Sequence, residues 1–313
     1  MSRVSIDERA TDALDTGEFI PRESPASKYF EAEPRIRMRA EVAGKTHPGL
    51  VRPNNEDHYL AVRRTRSREI LATSVPEEIL ESTEDNAYVM AVADGLGGQK
   101  FGELASLIAM RTGWELGGDE IKWAVRLNER EVEEIRDKAE VFCQLLEESV
   151  QAEVRENPRL AGMATTLTLC YTTGPSLFIV HVGDSRAYLF RNGELSQLTR
   201  DHTLGQELMD TGEASPNSPL VRKFRHVLTN CIGGSDSKVV PDVEHLKLVD
   251  GDLLLLCTDG LNNMVSDAEI AGLLGQARSP ADACQTLIDR ALKYGGKDNV
   301  TVIVARYQND GER

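Results

Sequence analysis

Short apolar runs rich in β-branched residues recur along the chain, and longer segments of helical periodicity lie between them. The runs predict strands at 58–62, 87–93, 166–172, 177–182, 186–191, 253–257 and 300–306. Apolar residues at helical spacing predict helices at 102–116, 131–156, 203–211, 267–275 and 280–293. Asp267 and Ser279-Pro280 are typical of helix starts, and Asn192-Gly193 is typical of a hairpin turn. Hairpin signals between strands, with helices in separate blocks, favour an antiparallel α+β fold over a Rossmann-type sheet.

One continuous domain is predicted over 39–307. Residues 1–38 mix charged and small residues with prolines and lack sustained periodicity, which is typical of a disordered acidic tail. The polar segment 63–86 separates two predicted strands and is interpreted as an insertion with room for a short helix. Residues 308–313 are predicted to form a C-terminal tail.

Composition and charge exclude several kinds of partner and location for the protein. The chain has 313 residues, of which 40% are hydrophobic, and its formal net charge of −15 argues against nucleic acid or an anionic membrane as its main partner. No apolar run approaches the ~20 residues needed to cross a bilayer, and the N-terminal residues lack an apolar signal segment. The 5 cysteines are scattered without a disulfide or metal-binding spacing. We therefore expect a cytoplasmic protein without a membrane partner.

Five aspartates stand at the ends of predicted strands. Asp94, Asp184 and Asp259 follow apolar strands, whereas Asp57 and Asp298 precede them. Because antiparallel neighbours begin and end at the same edge of a sheet, these carboxylates can converge there. Such a cluster needs cations to offset its repulsion, and oxygen ligands suit Mg²⁺ or Mn²⁺ better than Zn²⁺. Each aspartate taken alone would be expected in a surface turn, and the pattern by itself does not decide between these interpretations.

A set of six motifs occurs in a fixed order along most of the chain: RPNNED at 52–57, ADGLGGQKFGELAS at 93–106, GMATTLT at 162–168, HVGDSRAYLFRNGELSQLTRDHT at 181–203, CTDGL at 257–261 and GGKDNVTVIV at 295–304. On these motifs the chain resembles the PP2C-type (PPM) metal-dependent protein phosphatases over about 40–307, and in particular their prokaryotic branch. The resemblance implies a four-layer α/β/β/α sandwich of two antiparallel sheets flanked by helices. It also implies hydrolysis of phosphoserine and phosphothreonine in proteins by a water held between two divalent cations, Mn²⁺ or Mg²⁺.

The resemblance further implies a set of oxygen donors around the cations: Glu56, Asp57, Asp94, Gly95, Asp184, Asp259 and Asp298. Asp94 would bridge both metals, and the Gly95 carbonyl would bind the second. Asp259 and Asp298 would complete the first metal. Glu56 would act on the second, directly or through water, with Asp57 orienting the ligands around it.

Other positions would act beside these ligands or depart from the family pattern. Arg52 would clamp the phosphate with its planar fork of donors, and Asp184 with Asp259 matches a third, weaker metal site of prokaryotic members. Leu96 stands where eukaryotic members carry a histidine proposed as general acid, so the proton donor is unassigned. Asn263 replaces an acidic residue that helps to bind the third metal in eukaryotic members.

Two other functions compete with this prediction. A catalytically silent relative that only binds phosphoproteins would be expected to lose metal ligands, whereas Asp94, Asp259 and Asp298 all remain. A cysteine-dependent phosphatase would need a glycine-rich phosphate loop, but the string from Cys284 to Arg290 lacks glycine and lies in a predicted helix. We exclude the second alternative and keep the first open.

The expected partners follow from the resemblance. They are phosphorylated proteins, including a Ser/Thr protein kinase and its substrates, met by a monomer in signal transduction. Segment 203–237, with Gly, Ser and Pro around 211–219, corresponds to a mobile flap beside the family's metal site and is expected to influence substrate choice.

Overall fold

The structure is a computed structural model that describes residues 37–67, 69–75, 85–96, 101–119, 129–234 and 238–309. The described residues form these strands: β1 (Met38–His47), β2 (Asp57–Arg66), β3 (Asp85–Leu96), β4 (Ala164–Thr165), β5 (Leu167–Thr173), β6 (Ser176–Val182), β7 (Arg186–Arg191), β8 (Glu194–Gln197), β9 (Ile232–Gly233), β10 (Asp242–Lys247), β11 (Leu253–Cys257) and β12 (Val300–Asn309). They form these α-helices: α1 (Phe101–Asp119), α2 (Glu129–Glu156), α3 (Leu204–Asp210), α4 (Pro219–Phe224), α5 (Asp259–Asn262), α6 (Asp267–Gln276) and α7 (Pro280–Lys293).

The strands form two sheets. The first has the order β1-β12-β11-β7-β8, and the second has the order β10-β6-β5-β3-β4-β9 with β2 paired to β3. Neighbouring strands in both sheets are antiparallel. The predicted antiparallel α+β architecture is therefore confirmed.

Apolar side chains of the two sheets pack against each other. Leu256 and Ile303 of the first sheet share a buried cluster with Met90 and Val92 of the second. Helices α6 and α7 cover the outer face of the first sheet, and α1 and α2 cover the outer face of the second. This order of layers is the predicted α/β/β/α sandwich.

Local signals in the sequence account for several element boundaries. The side chains of Ser266 and Ser279 cap the N-termini of α6 and α7, and Pro280 occupies the first turn of α7. Asn192 and Gly193 have positive φ angles of 53° and 86°, as a two-residue hairpin turn between β7 and β8 requires. These helices and this hairpin lie where the sequence predicts them.

Some elements differ from the prediction. Strands β1 and β10 were not predicted, because neither contains a continuous apolar run. Strands β2 and β3 extend into the segment 63–86, and its described residues 67 and 69–75 are neither helical nor extended. The rest of that segment, and residues 1–36 of the predicted tail, lie outside the described residues. Among the described residues, no helix is long and apolar enough to span a membrane.

Candidate metal centre

The predicted carboxylates come from the ends of strands in both sheets. Asp57, the first residue of β2, lies directly opposite Asp94 in the antiparallel β2–β3 pair. Asp259 begins α5 just after β11, and Asp298 lies just before β12. Asp184 lies between β6 and β7. The sandwich therefore places these acidic residues at strand ends as the sequence predicts.

Asp57 joins the two sheets at this edge. Its Oδ2 accepts hydrogen bonds from Thr258 Oγ1 at 2.8 Å and from Thr301 Oγ1 at 2.6 Å. Thr258 follows β11 and Thr301 belongs to β12, so both donors come from the opposite sheet. The other oxygen, Oδ1, is buried without a hydrogen-bond partner among the described residues.

Two consecutive threonines hold the backbone at Asp94. Its N–H donates to Thr166 Oγ1 at 2.9 Å, and its carbonyl accepts from Thr166 N and Thr165 Oγ1, both at 2.9 Å. Both threonines are fully buried, and Thr166 Oγ1 also contacts Ser185 Oγ at 2.8 Å. The GMATT motif thus fixes the Asp94 backbone and links it to the loop that carries Asp184.

Burial and mutual repulsion raise the pKa values of the clustered carboxyls. Burial raises the pKa of Asp57 from its ordinary 3.8 to about 7 despite the hydrogen bonds from Thr301 and Thr258. Burial, then the negative charge of Asp57, raises the pKa of Asp94 well above its ordinary value. Burial and the charge of Asp259 do the same for the pKa of Asp184. Without a cation these groups resist ionisation together, as expected for a cluster of like charges.

Gly95 makes an unusually close backbone contact. Its N–H donates to the Glu56 carbonyl at 3.2 Å. A Cβ at Gly95 would lie 2.1 Å from the Gly102 carbonyl oxygen, and one at Gly102 would lie 2.5 Å from the Gly95 carbonyl oxygen. Only glycine fits at both positions, so the end of β3 and the start of α1 are held against each other beside Asp94.

Glu56 is held by its backbone on two sides. Its N–H donates to Asn299 Oδ1 at 2.8 Å, and its carbonyl accepts from Ser106 Oγ at 2.6 Å. Asn299 also donates from Nδ2 to the carbonyls of Pro48 and Asn54 at 2.9 and 2.8 Å. Burial raises the pKa of the half-buried Glu56 carboxyl. The loop that carries Glu56 is therefore fastened to the loop that carries Asp298.

Arg52 contacts a predicted metal ligand. Its Nη2 donates to Asp298 Oδ2 at 2.7 Å, and the two side chains are 53% and 36% exposed. The sequence predicts Arg52 as a phosphate clamp, and the structure places its guanidinium at the edge of the carboxylate cluster. Two further donors face Asp259 Oδ2: Asn263 Nδ2 donates to it at 2.9 Å, and His226 Nδ1 lies 3.7 Å away.

The arginine of the GDSR motif has a structural role. Arg186 donates through Nε and Nη2 to both carboxylate oxygens of Asp201, at 2.8 and 2.6 Å, and through Nη1 to Tyr188 Oη at 2.9 Å. Asp184 is 8% exposed. Because the donors of Arg186 go to Asp201 and Tyr188, they do not neutralise Asp184 through a direct hydrogen bond in the described structure.

The donor set fits hard divalent cations. No three His, Cys, Asp or Glu side chains of the described residues stand at metal-ligand spacing. Arg52 pairs with Asp298, and Asn263 pairs with Asp259. However, Asp57 Oδ1 and Asp259 Oδ1 are buried and have no hydrogen-bond partner among the described residues, and such orphaned atoms are costly unless an ion or water meets them. Oxygen donors of this kind suit Mn²⁺ or Mg²⁺.

The thiol alternative does not fit the structure. Cys284 lies inside α7, is 1% exposed, and burial raises the pKa of its thiol to about 11. A nucleophilic cysteine requires the opposite, an accessible thiol with a lowered pKa.

Several residues of the site were missed by the sequence analysis. Thr258 and Thr301 donate to Asp57, and His226 contacts Asp259. Asn299, directly after Asp298, accepts from the Glu56 N–H. The threonines stand inside the CTDGL and DNVT strings, which could have indicated them, whereas His226 stands in no recognisable pattern.

The chain matches a family model and is similar to known bacterial proteins. A family model described as Protein phosphatase 2C matches residues 79–293. The serine/threonine protein phosphatase PstP of Mycobacterium tuberculosis is 34% identical over 271 residues, which is 87% of this chain and 46% of that protein. The chain thus spans about half the length of this relative. The serine/threonine phosphatase stp of Listeria monocytogenes serotype 4b is 35% identical over 221 residues, or 71% of this chain and 85% of that protein.

The fold of the chain is also similar to that of solved structures of such proteins. The M. tuberculosis phosphatase PstP/Ppp superimposes with a TM-score of 0.69 and 32% identity, covering 86% of this chain and 99% of that chain. The PstP catalytic domain in complex with 2 manganese ions gives a TM-score of 0.67 and 32% identity, covering 87% and 100%.

Proposed function

The chain belongs to the protein phosphatase 2C family, and on that premise we propose that it hydrolyses phosphoserine and phosphothreonine in proteins with Mn²⁺ or Mg²⁺. The observation that carries the proposal is the facing pair Asp57 and Asp94, whose repulsion needs a cation, beside the orphaned Oδ1 atoms of Asp57 and Asp259. The structure of a 32% identical relative with 2 manganese ions supports the choice of metal.

We assign the ligands by donor chemistry. The ions would be held by five groups: Asp94, Asp259, Asp298, Glu56 and the Gly95 carbonyl. Asp57 would stabilise these ligands through its hydrogen bonds with Thr258 and Thr301. When bound, the divalent cations supply a water acidified for attack on phosphorus and offset charge on the phosphoryl oxygens.

Arg52 binds and orients the phosphate. Its side chain is 53% exposed and its partner Asp298 is a proposed ligand. With Asp298 holding a cation, the guanidinium would be available to donate two parallel hydrogen bonds to phosphoryl oxygens. The arginine thereby neutralises charge that grows during in-line displacement.

The proposal extends to the partners and the location of the protein. Relatives named Ser/Thr phosphatases support phosphoproteins as substrates, and we propose a Ser/Thr kinase among the partners of a cytoplasmic monomer. A chain with a net charge of −15 is repelled by nucleic acid and anionic membranes.

Purified protein tests the proposal directly. We expect hydrolysis of p-nitrophenyl phosphate and of a phosphothreonine peptide with Mn²⁺ or Mg²⁺, abolition by EDTA, and no effect of iodoacetamide. Cys284→Ser serves as the matched control and should keep its activity. Binding of the phosphopeptide without turnover in excess Mn²⁺ would instead establish the silent, phosphoprotein-binding alternative.

A further inference from the structure

The segment 225–229 after α4 is anchored beside the candidate metal centre. The N–H of Leu204 donates to the Val227 carbonyl at 2.8 Å, and the N–H of Thr229 donates to the His202 carbonyl at 2.9 Å. His202 in turn donates its N–H to the Gly183 carbonyl at 2.7 Å, directly before Asp184. The backbone directly after His226 is therefore tied, through residues 202–204, to the loop that carries Asp184.

A neighbouring arginine fixes the tautomer of His226. Arg225 Nε donates to His226 Nε2 at 2.8 Å. A ring nitrogen that accepts a hydrogen bond carries no hydrogen, so the neutral ring has its hydrogen on Nδ1. That nitrogen lies 3.7 Å from Asp259 Oδ2. His226 thus presents a hydrogen-bond donor, and not a lone pair, to the carboxylate cluster.

The donor is open to a substrate. The His226 side chain is 48% exposed, whereas that of Asp259 is 15% exposed. Asp259 Oδ2 already accepts from Asn263 at 2.9 Å, so the longer contact with His226 is not needed to satisfy it. The Nδ1–H is therefore free to turn to an incoming ester.

The reaction needs such a donor. A seryl or threonyl alkoxide is a strongly basic leaving group, and an apolar side chain such as Leu96 cannot stabilise it. Asp94 and Asp259 are acceptors, and Arg52 lies against Asp298. Within the part of the chain that the structure describes, His226 offers a ring N–H donor at the Asp259 side of the cluster.

We propose that His226, oriented by Arg225, donates a hydrogen bond from Nδ1 to the ester oxygen of phosphoserine or phosphothreonine, and so determines the preference for alkyl phosphates. The inference rests on the proposed phosphatase function. A water oxygen bonds to phosphorus as the ester P–O bond breaks, and the electron pair stays on the leaving oxygen. Of the two hydrogens of that water, one remains with the phosphate and the other reaches the leaving oxygen through solvent. His226 keeps its own hydrogen, and Arg225 acts as a positioning residue.

The dependence of the rate on the leaving group tests this role. We would measure kcat/KM with Mn²⁺ for aryl phosphates from nitrophenyl to phenyl and for a phosphothreonine peptide. For His226→Ala we expect about a tenfold loss on the peptide, the order of one lost hydrogen bond, with losses that shrink as the leaving group becomes less basic. His226→Gln keeps an amide donor and should recover part of the loss, and Arg225→Ala should lie between wild type and His226→Ala.

A control variant and a metal titration separate this role from a structural one. Val227→Ala alters the same segment without removing a donor, so the leaving-group dependence should match that of wild type. Calorimetry should give the same Mn²⁺ affinity for His226→Ala as for wild type. Equal losses on every ester, or weaker Mn²⁺ binding with activity restored by excess Mn²⁺, would overturn the inference. A wild-type protein without turnover would overturn the proposed function itself. Melting curves identify any variant that fails to fold, and Arg225→Ala then carries the test.

Discussion

Asp57 and Asp94 face each other directly across the antiparallel β2–β3 pair. Like charges at opposed positions of a sheet repel each other, and here both carboxyls have raised pKa values. In the absence of a cation the proposed metal site is therefore a local source of instability.

Asp94→Asn should separate stability from activity. Removing one of the facing charges should raise the metal-free free energy of unfolding by about 1 kcal/mol and abolish hydrolysis of both small esters and phosphopeptides. Urea unfolding in EDTA, with an activity assay in Mn²⁺, measures the two effects. A variant that is less stable in EDTA would show that Asp94 is held by contacts and not repelled.

The pH dependence of stability should reveal the raised pKa of Asp57. Between its ordinary value of 3.8 and its folded value of about 7, the folded state binds more protons than the unfolded state. Asp57 therefore makes the free energy of unfolding fall as pH rises through this window. In EDTA the free energy of unfolding of Asp57→Asn, relative to that of wild type, should increase from about pH 4 to about pH 7. Urea titrations across that range measure it, and a constant difference would contradict the assignment.

Arg52→Ala should lose activity and keep stability. Its ion pair with Asp298 is largely exposed, so the free energy of unfolding should change by less than about 1 kcal/mol. The loss of its donors to the phosphoryl oxygens should lower kcat/KM about a hundredfold. Arg52→Lys, which keeps the charge without the planar fork, is the matched control and should fall between. Unchanged kinetics in Arg52→Ala would remove the arginine from the site.

The variant Asp184→Ala tests whether Asp184 helps to bind a third, weaker cation. Because Arg186 is engaged by Asp201, the substitution should leave the fold intact, and relief of repulsion should keep the metal-free melting temperature from falling. We expect a several-fold higher Mn²⁺ requirement and a larger loss on phosphopeptide than on p-nitrophenyl phosphate. His226→Ala should share the leaving-group effect and lack the shift in Mn²⁺ requirement. A loss of stability with equal losses on both substrates would assign Asp184 to the turn alone.

The segment 212–219, which follows α3 and ends at the first residue of α4, should affect peptides more than small esters. It precedes the anchored residues 225–229 and is largely exposed. Replacing 213–217 with glycine and serine should raise KM for a phosphopeptide and leave p-nitrophenyl phosphate little changed. The same replacement in the turn 249–251, at the opposite end of β11 from Asp259, is the control. Equal effects on the two substrates would argue against a flap.

The sequence predicts the bounds of an element well where residues close together in the chain determine them. Helix α7 begins and ends as predicted because Ser279 and Pro280 cap it and its apolar face is continuous. Strand β1 was missed because its residues, MRAEVAGKTH, show no apolar run. It is a strand because each residue from Met38 to His47 pairs with β12, a long-range contact that no local pattern encodes.

The candidate site also contains some residues that the sequence predicts and others that it does not. The five aspartates were predicted as ligands because each stands beside an apolar strand, and antiparallel pairing accounts for the facing pair Asp57 and Asp94. Thr258 and Thr301 were missed because a threonine in a strand or at its end is expected from β-propensity alone, whatever its hydroxyl does. His226 lies in a short connection after α4, where its neighbours in space are determined by the fold and not by spacing in the sequence.

The contacts of Asp57 also bear on how the protein becomes active during synthesis. Its hydrogen-bond donors Thr258 and Thr301 lie 201 and 244 residues further along the chain. A ribosome-bound chain that has released β2, β3 and Asp184 still lacks Asp259, Asp298 and both threonines. Pairings of such long range form late and slowly. The proposed phosphatase activity should therefore arise only after β12 has emerged, and a partly made chain should be inactive.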